Sequence, residues 1–187
     1  MGPCTIEKLE PKPDFDLFSF LDLCQETRLE GNVMKRLGEL WDQWFDNLSC
    51  YKVVCGKISY LLVWLPEEVE TLVDDIWKKT PSEGYFANML AQYLCMQVVN
   101  ELIPQVETVG CAPAPRPTES LRQVLADFDL GYHEEMDVLN RRFAVVTFYP
   151  FRGGCEICHL QPQCPKGNGE KGSSVLLPGY EQQGAGA

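Results

Sequence analysis

Three cysteines stand within ten residues near the C-terminal end of the chain, in Gly153-Gly-Cys155-Glu-Ile-Cys158-His159-Leu-Gln-Pro-Gln-Cys164-Pro165. Packing does not explain that density, because exposed thiols are chemically vulnerable. A Cys-x2-Cys turn brings two thiolates to one metal, since the intervening residues fold tightly and turn their amides towards the sulfurs. A third cysteine after a five-residue spacer containing Pro162 closes the same loop. The segment is therefore expected to form a metal-binding loop over residues 150–166.

Three chemistries suit such a loop. Zinc wants four tetrahedral ligands, the three thiolates plus Cys111 or His159. A cubane iron–sulfur cluster takes the three thiolates and a fourth, and Cys111, in the stiff loop Gly110-Cys-Ala-Pro-Ala-Pro-Arg-Pro117, is the natural candidate. Cys164-Pro165 favours this reading, because cysteine followed by proline recurs at cluster ligands. Cys155-Glu-Ile-Cys158-His159 also spells the covalent haem attachment motif, with Met136 as a sixth ligand, but it leaves Cys164 without a role. The 4Fe-4S cluster is the expectation, with Cys155, Cys158, Cys164 and Cys111 as ligands, and zinc is the alternative.

The chain has nine cysteines. The other five, Cys4, Cys24, Cys50, Cys55 and Cys95, lie scattered among apolar residues and read as small buried hydrophobes. An odd count, with no apolar leader in Met1–Glu10, suits a reducing compartment, so a cytoplasmic location is expected. The formal charge of −11 argues against nucleic acid and anionic lipid as partners, because both are bound through Lys and Arg. Ile58–Leu65, the longest apolar run, is too short to span a bilayer.

The periodicities predict a single α+β domain over residues 1–166, with a mixed or antiparallel sheet flanked by helices, and a disordered tail over 167–187. Residues 1–13 read as an irregular lead-in. A helix capped by Asp14 follows, broken by Gly31-Asn32, then a second with Val33, Leu37, Leu40, Trp41, Trp44 and Leu48 on one face. Cys50–Cys55 and Lys57–Leu65 read as strands. Pro66-Glu-Glu opens a helix burying Val69, Leu72, Val73, Ile76 and Trp77, with its acids at the positive dipole end. A long helix covers residues 83–103 and Pro104 ends it. Val106–Val109 reads as a short strand, Thr118–Phe128 as a helix and Phe143–Tyr149 as a strand.

The element order Ile58–Leu65, Glu67-Glu-Val-Glu70 and the long helix from Glu83 to Ile103 resembles the activation domain of cobalamin-dependent methionine synthase. It is more similar still to the stand-alone relatives of that domain with a cysteine-rich C-terminus, over about residues 50–165. In that family an adenosylmethionine-binding loop follows the long helix, and here Cys111–Pro117 takes its place without the Gly-Tyr. The resemblance implies docking on a corrinoid protein, with an iron–sulfur site passing the electron that restores Co(I). The local Cys-x2-Cys-x5-Cys pattern is also similar to the cluster loop of endonuclease III-type DNA glycosylases, but Phe148 occupies the position of their further cysteine.

Other features are weaker. His133 reads as solvated, Glu67, Glu68 and Glu70 as a solvated helix start, and Arg141, Arg142 and Arg152 as salt-bridging to the acidic surface. No Gly-x-Ser-x-Gly, phosphate loop or nucleophile–base pair occurs. The expected function is an iron–sulfur electron-transfer or reactivation module working with a corrinoid protein or an electron donor. The alternative is a zinc-stabilised protein-interaction domain without redox activity.

Overall fold

The computed structural model describes residues 4–133 and 138–164. Within them the chain forms a mixed α+β fold on a four-stranded antiparallel sheet of order β1-β2-β3-β4. The strands are β1 Thr5–Lys8, β2 Ser49–Cys55, β3 Ile58–Trp64 and β4 Ala144–Phe148. The tail expected over 167–187 and the candidate haem ligand Met136 lie outside the described residues.

β3 explains the layering. Its run of apolar residues does not alternate because both faces of the strand are covered. Leu61, Val63 and Leu65 join the larger core, while Tyr60, Leu62 and Trp64 join a second core on the opposite face. The larger core is built from helices α1 Leu17–Cys24, α2 Gly31–Asp46, α3 Glu67–Lys79, α4 Pro81–Leu102 and α5 Pro104–Val109. Helix α6, Glu119–Asp127, supplies Leu121, Val124 and Leu125 to the other face. Among the described residues no helix is long and apolar enough to cross a membrane.

Several expectations need correction. Thr5–Lys8 of the supposed irregular lead-in is an edge strand paired along β2, from Thr5↔Val54 to Lys8↔Tyr51. Of the lead-in's prolines, Pro11 and Pro13 fall after it. The first helix is capped by Asp16 instead of Asp14, because the Asp16 carboxylate takes the Phe18 amide at 2.9 Å and the Ser19 hydroxyl at 2.6 Å. Gly31-Asn32 opens α2 and does not end α1, which has already stopped at Cys24 with Gln25 in the left-handed region. Val106–Val109 belongs to helix α5, because Pro104 occupies the first turn of a new helix and Val106 is buried.

Trp77, expected on the buried face of α3, departs from that position. It is 39% exposed, since α3 meets α4 through the backbone of Trp77 lying over Gly84.

Candidate metal centre

Two chain segments far apart in sequence carry the cysteine loop and the proline loop. Helix α5 ends at Gly110, whose φ of +71° reverses the chain into Cys111–Pro117. At the other end, β4 runs into a cis Tyr149-Pro150 peptide and then Gly153-Gly154. Gly153 has φ +52°, and a Cβ there would come within 2.7 Å of the Glu156 Oε1 and 3.1 Å of the Ile157 side chain. Only glycine suits that turn. Beyond it, Cys155–Ile157 and Gln161–Gln163 form two short 3₁₀ turns, the second capped by Cys164.

The two segments are stitched together by backbone. The Ala114 amide donates to the Cys158 sulfur at 3.4 Å, and the His159 amide donates to the Ala114 carbonyl at 3.0 Å. Thr147 fixes the proline loop to the sheet: its hydroxyl, 1% exposed, donates to the Pro113 carbonyl at 2.9 Å. Neither Ala114 nor Thr147 stands out in the sequence as a site residue. A single threonine in the apolar run Phe143–Phe148 is the signal that marks the second.

The outcome is a wall with two faces. Cys111 and Pro113 line one cavity together with Cys155, Cys158 and Cys164. Ala112 and Ala114, with His159 and Leu160, line another of about 380 Å³ on the far side. The cysteine cavity itself is about 20 Å³, room for about one water molecule, so a cluster bound there would need the Cys111 and Cys155–Cys164 loops to part around it. All four cysteines named as candidate ligands therefore meet at one place. His159 does not meet them there, and its ring Nδ1 lies 3.3 Å from the Ala114 carbonyl oxygen.

Cys155 is exposed, while Cys111, Cys158 and Cys164 are half-buried. Among the described residues no three or more His, Cys, Asp or Glu side chains are arranged to hold a single metal ion. A tetrahedral zinc site needs sulfurs about 3.8 Å apart, as Zn–S bonds of about 2.3 Å dictate. A polynuclear cluster holds its thiolates further apart.

The other cysteines divide. Cys24, Cys50 and Cys95 are buried, as expected of small hydrophobes, and burial pushes each thiol up to about 12. Cys4 and Cys55 depart from that expectation: they form a disulfide between β1 and β2. The β1 pairing causes it, because the register that sets Thr5 against Val54 brings Cys4 beside Cys55.

Arg141 and Arg142 border the second cavity, and both are engaged by the acidic surface. Arg141 pairs with Glu67 at 3.0 Å and Asp129 at 3.5 Å, and Arg142 with Asp74 at 2.8 Å. The hydrogen bond from Arg142 holds the Asp74 carboxyl below its ordinary value. Glu67 and Glu70 are thus more than a solvated helix start, since Glu70 also accepts the Arg142 amide at 2.9 Å. Arg152 reaches the Lys57 carbonyl at 3.4 Å. His133 is exposed, as expected. No family model and no curated protein matches the chain.

Proposed function

We propose that the protein binds a 4Fe-4S cluster through Cys111, Cys155, Cys158 and Cys164 and serves as a one-electron transfer or reactivation module. The observation that carries this reading is the shared cavity of the four cysteines, drawn from two distant segments. When bound, the cluster supplies a reversible one-electron couple. The protein's part is to hold the thiolates on a braced loop and to donate the Ala114 amide to the Cys158 sulfur, an interaction that tunes such a couple.

A corrinoid protein is the partner that the likeness to the methionine synthase activation domain implies. One electron delivered to Co(II) restores Co(I), and a separate one-electron donor recharges the module. The chain's exposed Cys155 gives the centre an open side for that exchange.

The test is anaerobic purification followed by iron, acid-labile sulfide and zinc analysis with a visible spectrum. The expected result is about four iron and four sulfide per chain, with a broad absorption that bleaches on reduction. A colourless protein with about one zinc would end the redox reading and leave a structural interaction domain. Mixing the reduced protein with cob(II)alamin and following Co(I) formation then tests the corrinoid step.

A further inference from the structure

The N-terminal segment is fastened at one end by a bond that thiols can break. Cys4 is joined to Cys55, and all four residues of β1 are exposed. The strand buries no side chain of its own. It is held by its backbone ladder with β2, by the Glu7–Lys52 ion pair at 3.2 Å and by the disulfide.

After β1 the chain leaves the sheet edge and becomes one wall of a cleft. The Leu9 amide donates to the Cys50 carbonyl at 2.9 Å, and the Lys12 amide to the Glu101 carboxylate at 2.9 Å. Phe15 then seats against Trp41, ring centroids 5.1 Å apart. Between residues 8–15 and α2 lies an open cleft of about 610 Å³ with Leu9, Phe15, Trp41 and Phe45 on its sides. That is the largest of the cavities described, within the size range of small-molecule sites. The strap is thus anchored by its backbone hydrogen bonds, by Phe15 in the core and covalently at Cys4, and of these only the disulfide responds to thiols.

We propose that Cys4–Cys55 is a thiol–disulfide switch that sets the closure of this cleft. Oxidised, it fastens the strap along the sheet edge. Reduced, it frees β1 and loosens the wall formed by residues 8–15. Both cysteines are half-buried at the rim of the sheet, and thiol–disulfide exchange requires an attacking thiolate to reach one of the two sulfurs. Cys24, Cys50 and Cys95 are closed to the same chemistry by burial.

The exchange balances with glutathione. A glutathione thiolate attacks one sulfur, the Cys4–Cys55 bond breaks, and the leaving thiolate takes a proton. A second glutathione resolves the mixed disulfide, giving two protein thiols and one glutathione disulfide. Oxidation runs these steps in reverse. The device does not depend on the proposed cluster, because neither cysteine lines the cavity of Cys111, Cys155, Cys158 and Cys164.

The experiment equilibrates the full chain anaerobically in mixtures of reduced and oxidised glutathione. Differential alkylation and mass spectrometry read Cys4 and Cys55, and hydrogen exchange is measured on the same samples. The pair is expected to pass from disulfide to dithiol across the series. Amides of residues 5–10 should then exchange at least about tenfold faster, while those of residues 59–64 stay unchanged. A pair that stays oxidised at the highest glutathione ratio overturns the proposal, as does equal protection of residues 5–10 in both states. Cys4→Ser should reproduce the loosening without reductant, which separates it from any effect on a metal centre. Cys111→Ser should leave the switch intact, so the two proposals fail independently.

Discussion

The Ala114 amide points at the Cys158 sulfur from 3.4 Å, tying two loops that lie 44 residues apart along the chain. An N–H donor to a cluster sulfur favours the reduced, more negative state and raises the potential. Ala114→Pro removes that hydrogen and puts the proline ring in its place, in a loop whose neighbours Pro113 and Pro115 are already proline. The expected result is near-normal iron content with a reduction potential shifted downwards, read by a redox titration. An unchanged potential would remove Ala114 from the tuning of the centre.

For the fourth position of the proposed centre Cys111 and His159 are the candidates, and the structure places them in the linings of two different cavities. Metal analysis of variants follows directly. Cys111→Ser should lose most of its bound metal, in step with Cys155→Ser, Cys158→Ser and Cys164→Ser. His159→Ala should keep nearly all of it. The reverse pattern would favour a zinc site completed by histidine.

Much of this was legible in the chain because it depends on local rules. The apolar run of β3 and the proline before Glu67 each identify their element without help from the rest. β1 was not legible, since Thr5–Lys8 buries nothing and exists through its pairing with β2. The disulfide followed it out of sight: Cys4 and Cys55 become neighbours only once that register is set. Val106–Val109 was misread as a strand because β-branched residues there fill one buried position beside α4, where a single helical turn serves as well. That Cys111 reaches the cysteine loop rests on Thr147, Pro113 and Ala114, contacts between segments that no spacing reveals.

Thr147 braces the proline loop from within the sheet, through its buried hydroxyl and the Pro113 carbonyl. Thr147→Val keeps the shape and leaves that carbonyl without its donor, a loss of about 1–2 kcal/mol. Stability should fall by that amount in urea titrations. Loss of metal to a chelator should also quicken, because Cys111 sits two residues from the released carbonyl. Unfolding that weakens without faster metal release would confine Thr147 to the core.

Gly84 lets α4 rest on the backbone of α3 at Trp77, and a Cβ there would run into the Trp77 backbone. Neither partner is a flexible side-chain tip, so the helices must separate. Gly84→Ala is expected to destabilise the fold by about 1–3 kcal/mol despite its gain in helix propensity. For a chain of this size that lowers Tm by about 2–4 °C per kcal/mol. A rise in Tm would show that helix α3 yields more easily than its packing suggests.

The buried thiols of Cys24, Cys50 and Cys95 are expected to make the fold less stable at alkaline pH. Desolvation carries each thiol from an ordinary value of 9.0 to about 12, and Tyr85 and Tyr93 are raised by the same cause. Above pH 9.0 the unfolded chain releases protons that the native state keeps. The native state then binds more protons than the unfolded one, so stability falls as pH rises. The contribution is whole below pH 9.0 and lost progressively towards pH 12. Urea titrations on the metal-free protein at successive pH values should show a steepening decline through that window. Iodoacetamide at pH 8.5 should leave these three thiols unlabelled until urea unfolds the chain. A stability that stays flat to pH 11, or labelling of Cys95 in the native state, would contradict their burial.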